Sequence, residues 1–181
     1  MPEDYQADLR DRLRVVFSWR GEANYADVSG WWADPGLLRE IGPALADLHR
    51  SSNPTLVAGI EAHGFLVGPL VAIELGVGFV AIRKGLRADE IGDDVISRTT
   101  PPDYNERGLA LGMRRRLVQP KDRVLLVDEW ITTGAQATAA KRLIEDAGGD
   151  FVGAAVVVDA TDNATRRTLD LRSLITLHGL G

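Results

Sequence analysis

Two adjacent carboxylates, with a hydroxyl-rich turn three residues further on, set apart the stretch from Arg123 to Ala147, which reads R-V-L-L-V-D-E-W-I-T-T-G-A-Q-A-T-A-A-K-R-L-I-E-D-A. Asp128 and Glu129 close a run of apolar residues, Val124 to Val127. After Thr132-Thr133-Gly134-Ala135, apolar residues recur at helical spacing: Ala137, Ala140, Leu143, Ile144 and Ala147. A buried strand, a small-residue turn and a helix start together present backbone N–H groups and hydroxyls to a phosphate. The acids at the strand's end suit ribose hydroxyls or a metal-bound sugar phosphate. An ordinary strand-to-helix connection capped by Thr has no need of paired carboxylates.

A second constellation, Glu61-Ala62-His63-Gly64-Phe65, follows the β-rich run Thr55 to Ile60. It reads as a strand end, a glycine turn and a helix whose N-terminus can face an anion. Arg83 and Lys84 close the next apolar run, Val77 to Ile82. They add cations at what should be the same edge of a sheet, where a highly anionic leaving group would want them.

The Asp128 to Gln136 segment resembles the 5-phosphoribosyl-1-pyrophosphate (PRPP) motif of the type I phosphoribosyltransferases. The Glu61 to Phe65 turn resembles the Glu-Ala-Arg-Gly-Phe pyrophosphate loop of the family's adenine branch, whose next strand also ends in Arg-Lys. The resemblance implies that Asp128 and Glu129 hold the 2- and 3-hydroxyls of ribose. Thr132, Thr133, Gly134, Ala135 and Gln136 would grip the 5-phosphate, and Glu61, Ala62, His63, Gly64, Arg83 and Lys84 the pyrophosphate. It also implies Mg²⁺ held mainly by PRPP and water, with no direct protein ligand. Three departures stand out: His63 for Arg, Gln136 for Thr, and a bulky Trp130 after the acids. A base-binding hood over about residues 15–35 is implied by Asn24, Tyr25 and Ala26, where the adenine enzymes have Phe and Arg in place of Tyr25 and Ala26. Trp31 and Trp32 form an unusual pair there, at least one of them expected in core or interface packing. A mobile loop over about residues 85–115 should close on PRPP. It lacks the family's Tyr-x-Leu-Glu-Tyr-Gly signature but offers Tyr104, Glu106 and Arg107, with Glu106 positioned to handle a proton on the base.

The elements that must position these residues alternate along the chain. Leu9 to Val16, Leu37 to Leu48 and Phe65 to Leu75 have helical spacing. Thr55 to Ile60, Val77 to Ile82, Val124 to Val127, Val152 to Val158 and Leu174 to Leu177 read as strands. Gly148-Gly149 ends the helix after the first motif. Strands separated by helices imply βαβ units and a parallel sheet, with ligands at the strands' carboxyl ends. The expected fold is therefore α/β: the type I phosphoribosyltransferase fold, a central parallel sheet flanked by helices with a small hood from both termini, in one domain over 1–181. Lys84 to Pro120 is the least regular region, with Leu86 to Ile96 acidic and loop-like and Thr99-Thr100-Pro101-Pro102 unable to continue a helix.

Composition narrows the function classes. Twenty-one basic and 26 acidic residues give a net charge of −5, which argues against nucleic acid as a partner. Arg114-Arg115-Arg116 lacks interleaved aromatics and reads as a solvated or dimer-facing cluster. Cys is absent, so disulfides and thiolate chemistry are excluded. His49 and His178 have no partners at zinc-ligand spacing. No apolar run spans a bilayer, and the charged N-terminus does not read as a signal peptide, so the expected location is cytoplasmic. The resemblance implies a homodimeric enzyme of purine salvage that joins a nucleobase, adenine first, to PRPP and releases pyrophosphate. The alternatives are a transferase for xanthine, guanine or orotate, and a PRPP-binding regulator without transferase activity.

Overall fold

A computed structural model describes residues 3–21, 25–86, 94–100 and 108–180. Helix α1 (Glu3–Val16) leads into a hairpin of β1 (Ser18–Arg20) and β2 (Tyr25–Asp27), then α2 (Ser29–Ala33) and α3 (Pro35–His49). Strand β3 (Leu56–Ile60), α4 (Gly64–Leu75) and β4 (Gly78–Lys84) form the first βαβ unit. Next come β5 (Val95–Thr99), β6 (Ala110–Arg114), β7 (Arg123–Ile131), α5 (Ala135–Ala147), β8 (Asp150–Asp159), α6 (Asn163–Thr168) and β9 (Leu171–Thr176).

The main sheet has the order β5-β6-β4-β3-β7-β8-β9. Strands β4, β3, β7, β8 and β9 run parallel, and β6 and β5 extend the β4 edge antiparallel. Both faces of the parallel part are covered, which is why its strands read as near-continuous apolar runs. Side chains alternate between two cores. Val57, Leu125 and Val127 join a cluster with α3 and α4, while Ala58, Leu126 and Ile60 join one with α5 and β6. The expected central parallel sheet with flanking helices is what the chain forms.

Local chemistry sets the element ends. Asp34 caps α3 by accepting from the N–H groups of Gly36 and Leu37, at 2.7 and 2.9 Å, with Pro35 in the first turn. Gly76 and Gly148, both left-handed, end α4 and α5. The hood is the β1–β2 hairpin with α1 and α2. It is pinned from within by Trp31, wholly buried with Nε1 donating to Leu13 O at 2.9 Å, as expected for one of the tryptophan pair. The C-terminal end joins it where Arg14 Nε donates to Gly179 O at 2.6 Å.

The region from 85 to 115 departs from the sequence reading, because it is not loop throughout. Val95–Thr99 and Ala110–Arg114 pair as a hairpin-like extension of the sheet, with Leu111 and Met113 wholly buried. Each strand is only five residues long and has a polar or charged end, so the sequence carries no clear alternation. Their stability comes from non-local pairing, β6 with β4 and β5 with β6. The basic triplet after β6 is spent on surface ties: Arg114 and Arg116 pair with Asp94, and Arg115 donates to Asp146 O.

Candidate active site

The two turns singled out in the sequence meet at the carboxyl edge of β3 and β7, the adjacent central strands. At the end of β3 the chain turns through Glu61, Ala62 and His63 and enters α4 at Gly64; the Glu61–Ala62 peptide is cis. Gly64 lies so close to the sheet that a Cβ there would sit 3.0 Å from the backbone carbon of Gly59 and 3.1 Å from Val127 O. Any side chain there would force the neighbouring backbone to give way, and glycine avoids this. Glu61 ties the turn to the next strand, its Oε2 accepting the N–H of Lys84 at 2.9 Å with Arg83 Nη2 3.9 Å from Oε1.

At the end of β7, Thr132 and Thr133 lead to Gly134, which takes φ 75° and, as the N-cap of α5, offers no side chain to the helix's N–H groups. Thr133 Oγ1 accepts from Ala135 N at 3.3 Å. The first N–H groups of α5 have no intrahelical acceptor and point out of a positive helix end, a ready anion cradle.

One cavity of about 320 Å³ joins these pieces. Its walls take Glu61, Ala62, His63 and Lys84 from the first side, Asp128 and Glu129 from the middle, and Thr132, Thr133, Gly134, Ala135 and Gln136 from the second. Asp128 Oδ1 accepts the N–H of Glu129 at 2.9 Å. Burial, followed by the hydrogen bond and charge of Glu129, pushes the Asp128 carboxyl well above the usual carboxylate range, while Lys84 draws it the other way. Across the cavity, His63 Nδ1 and Glu129 Oε1 are 2.5 Å apart. The arrangement offers anion-binding backbone at two ends and paired acids between them, which suits a sugar carrying phosphate on both sides.

Other expected site residues fall elsewhere. Arg83 lies outside the cavity wall and is largely exposed. Tyr25, on β2, is 66% exposed, and Ala26 turns toward the core; neither lines the cavity. Asn24 and the loop residues Tyr104, Glu106 and Arg107 lie outside the described residues. Trp130, which the sequence marks only as bulky, lines the cavity and packs on hood residues Phe17 and Trp19, with ring centroids 6.1 and 6.2 Å away. The contact between His63 and Glu129 has no sequence signal, because the two are 66 residues apart and no motif pairs them.

Residues 33–174 match the phosphoribosyl transferase domain family. The chain belongs to that family. The adenine phosphoribosyltransferase of Nitrosospira multiformis is 34% identical over 167 residues, covering 92% of this chain and 93% of that protein. That of Lactobacillus gasseri is 34% identical over 158 residues, covering 86% and 87%. The crystal structure of the adenine phosphoribosyltransferase from Rhodothermus marinus superposes with a TM-score of 0.79 at 27% identity, over 94% of this chain and 99% of that one. The Trypanosoma brucei adenine phosphoribosyltransferase, in complex with AMP, pyrophosphate and ribose-5-phosphate, gives 0.79 at 26% identity over 100% and 84%. In this phosphoribosyltransferase, as described, no helix is long and apolar enough to cross a membrane.

Proposed function

We propose that this phosphoribosyltransferase moves the ribose 5-phosphate of PRPP onto adenine and releases pyrophosphate. The observation that carries the reading is the meeting of both turns in one cavity, with the paired acids between them. Its relatives in Nitrosospira and Lactobacillus, adenine phosphoribosyltransferases by name, support adenine as the acceptor. In the reaction the bond from ribose C1 to pyrophosphate breaks and the leaving group takes the electron pair. A ring nitrogen of the base bonds to C1 and gives up its proton. The sugar passes through a cation-like state, so positioning and charge carry most of the catalysis.

Each part of the wall, and the hood and loop residues beyond it, then has a task. The N–H groups at the start of α5, with Thr132, Thr133 and Gln136, hold the 5-phosphate. Asp128 and Glu129 take the ribose hydroxyls. Lys84 and the backbone of Ala62 to Gly64 face pyrophosphate, with Glu61 fixing the turn and Arg83 adding charge nearby. Asn24, Tyr25 and Ala26 belong to the base side, and Tyr104, Glu106 and Arg107 to a closing loop, Glu106 handling the base's proton. Mg²⁺ fits this donor set, since the ion keeps several waters and draws on substrate phosphates rather than an all-protein cage. When bound, it would neutralise charge on the departing pyrophosphate.

The reading extends to one domain over 1–181, a homodimer and a cytoplasmic location. An apolar groove between α3 and α4, lined by Leu38, Pro43, Leu70 and Ile73, suits a second copy; a monomer mass in light scattering would overturn the dimer. The main test is pyrophosphate release from Mg²⁺–PRPP with adenine, guanine, hypoxanthine, xanthine, orotate and uracil. Release with adenine alone is expected. Release only with another base renames the acceptor, and binding of PRPP without release for any base ends the transferase reading.

A further inference from the structure

The side chain at position 63 does something its place in the pyrophosphate turn does not require. His63 Nδ1 meets Oε1 of Glu129, so the first turn reaches across and holds one of the two acids of the second. Both residues line the cavity, yet the His63 side chain is 40% exposed and that of Glu129 only 17%. The imidazole is backed by Trp32, with ring centroids 6.3 Å apart, and Trp32 in turn meets the wholly buried Trp31 at 6.1 Å. A ring packed on one side and bonded through one nitrogen has a defined orientation. It passes that order to the mostly buried Glu129 carboxylate near the end of β7, restricting its rotamers further. Asp128 is oriented differently, through the backbone N–H of Glu129.

We propose that His63 is a positioning residue for the sugar end of PRPP. Through Nδ1 it orients the Glu129 carboxylate for the ribose hydroxyls, rather than serving as a cation for the leaving pyrophosphate. This rests on the assignment of the cavity to PRPP. A longer guanidinium at this position would extend toward an anion in forked contact. The imidazole uses its near nitrogen on Glu129, and pyrophosphate is left to Lys84 and the turn's backbone. Loss of His63 therefore acts on PRPP and spares free pyrophosphate, because only PRPP carries the hydroxyls that Glu129 receives.

The test compares the parent with His63→Ala, His63→Asn, Glu129→Ala and the double variant His63→Ala/Glu129→Ala. Affinities for the magnesium salts of PRPP and pyrophosphate are taken by calorimetry, with kcat and KM alongside and thermal melting as the control. His63→Ala should weaken PRPP about tenfold and pyrophosphate less than about twofold, the loss of one charge-assisted contact. His63→Asn, whose amide nitrogen can replace Nδ1, should recover most of the PRPP affinity. In the double variant, losing His63 should cost nothing beyond Glu129→Ala, since the cycle sees one shared contact. Equal weakening of PRPP and pyrophosphate, or additive losses in the double variant, would overturn the proposal. If His63→Ala does not fold, the same cycle built on His63→Gln decides it. A parent that binds PRPP but transfers to no base ends the transferase reading, and the affinities then decide this proposal alone.

Discussion

Asp128 and Asp159 stand near the carboxyl ends of neighbouring strands, β7 and β8, and their surroundings differ in kind. Asp159, 2% exposed, accepts from Thr161 N and Oγ1 at 2.7 and 2.6 Å and from Arg166 Nε at 2.5 Å. Arg166 also reaches Asn163 Oδ1 and Thr161 O. Burial alone would raise the Asp159 carboxyl, but the bonds and charge of Arg166 and the Thr161 donors outweigh it and hold it below the usual range. Asp128 has the opposite balance, since burial and Glu129 raise it together. The hollow beside Asp159 is the larger of the two, about 430 Å³ against about 320 Å³. Size therefore does not distinguish a site from a structural clamp here. An acid held by its own chain's donors serves the fold, and an acid raised by burial and a second carboxylate in a cavity is the candidate for function.

The sharpest way to break that contrast is to remove both acids of β7. Asp128→Ala with Glu129→Ala should abolish pyrophosphate release while the melting transition survives, and retained turnover would end the assignment. Asp159→Ala should do the reverse. It leaves the Thr161 N–H and hydroxyl without their acceptor and frees the partly exposed Arg166, and should cost about 1–3 kcal/mol in denaturant unfolding. A small loss would mean that Asp159 is not a clamp.

The same pair separates with pH. Asp159 has a lowered folded pKa, so its stabilising effect is present above the unfolded value near ~3.9 and is lost as pH falls through the folded one. The stability gap to Asp159→Asn should thus be full at neutral pH and close in acid. Asp128 has a raised folded pKa, so its ionisation disfavours the folded state increasingly as pH rises from about 3.9 toward that value. Asp128→Asn should melt higher than the parent at neutral pH and alike near pH ~4.

Gly134 sharpens the comparison on a smaller scale, because its turn is shared. At φ 75° a side chain is strained, and a Cβ would press on the Thr165 methyl of α6. Gly134→Ala should cost about 1–2 kcal/mol and weaken PRPP binding, linking the site to the element that clamps Asp159. The smallest effect lies away from both acids. His49 is wholly buried, its Nε2 3.1 Å from Ala154 O. Burial, then the charge of Arg172, lowers its pKa, though Asp170 pulls the other way. Its folded value lies below the unfolded one near ~6.5, so stability is full above that pH and declines as pH drops below it. A melting curve against pH should lose that decline in His49→Gln.

Much of this was legible along the chain. The apolar runs of β3, β7 and β8 stand out because both faces of a parallel sheet are buried, and the glycines at 64 and 134 mark turns where a side chain would be crowded or strained. The hairpin strands β5 and β6 were not legible, since five-residue strands at a sheet edge are stabilised by partners far away in sequence. Which way Tyr25 faces was not legible either, because a three-residue strand does not reveal it; the side chain lies exposed on the hood, outside the cavity wall.

Residue types and their local spacing were enough to determine the hydroxyl-rich turn, the paired acids and the alternation of strands and helices. Those features depend on contacts within a few residues and on simple periodicity. Only the tertiary structure decided which acid is met by which partner. Asp159 finds Arg166 seven residues away, while Glu129 finds His63 across 66. Such pairings arise where strand ends converge, and the distance between two strand ends is set by sheet order, which no local pattern encodes.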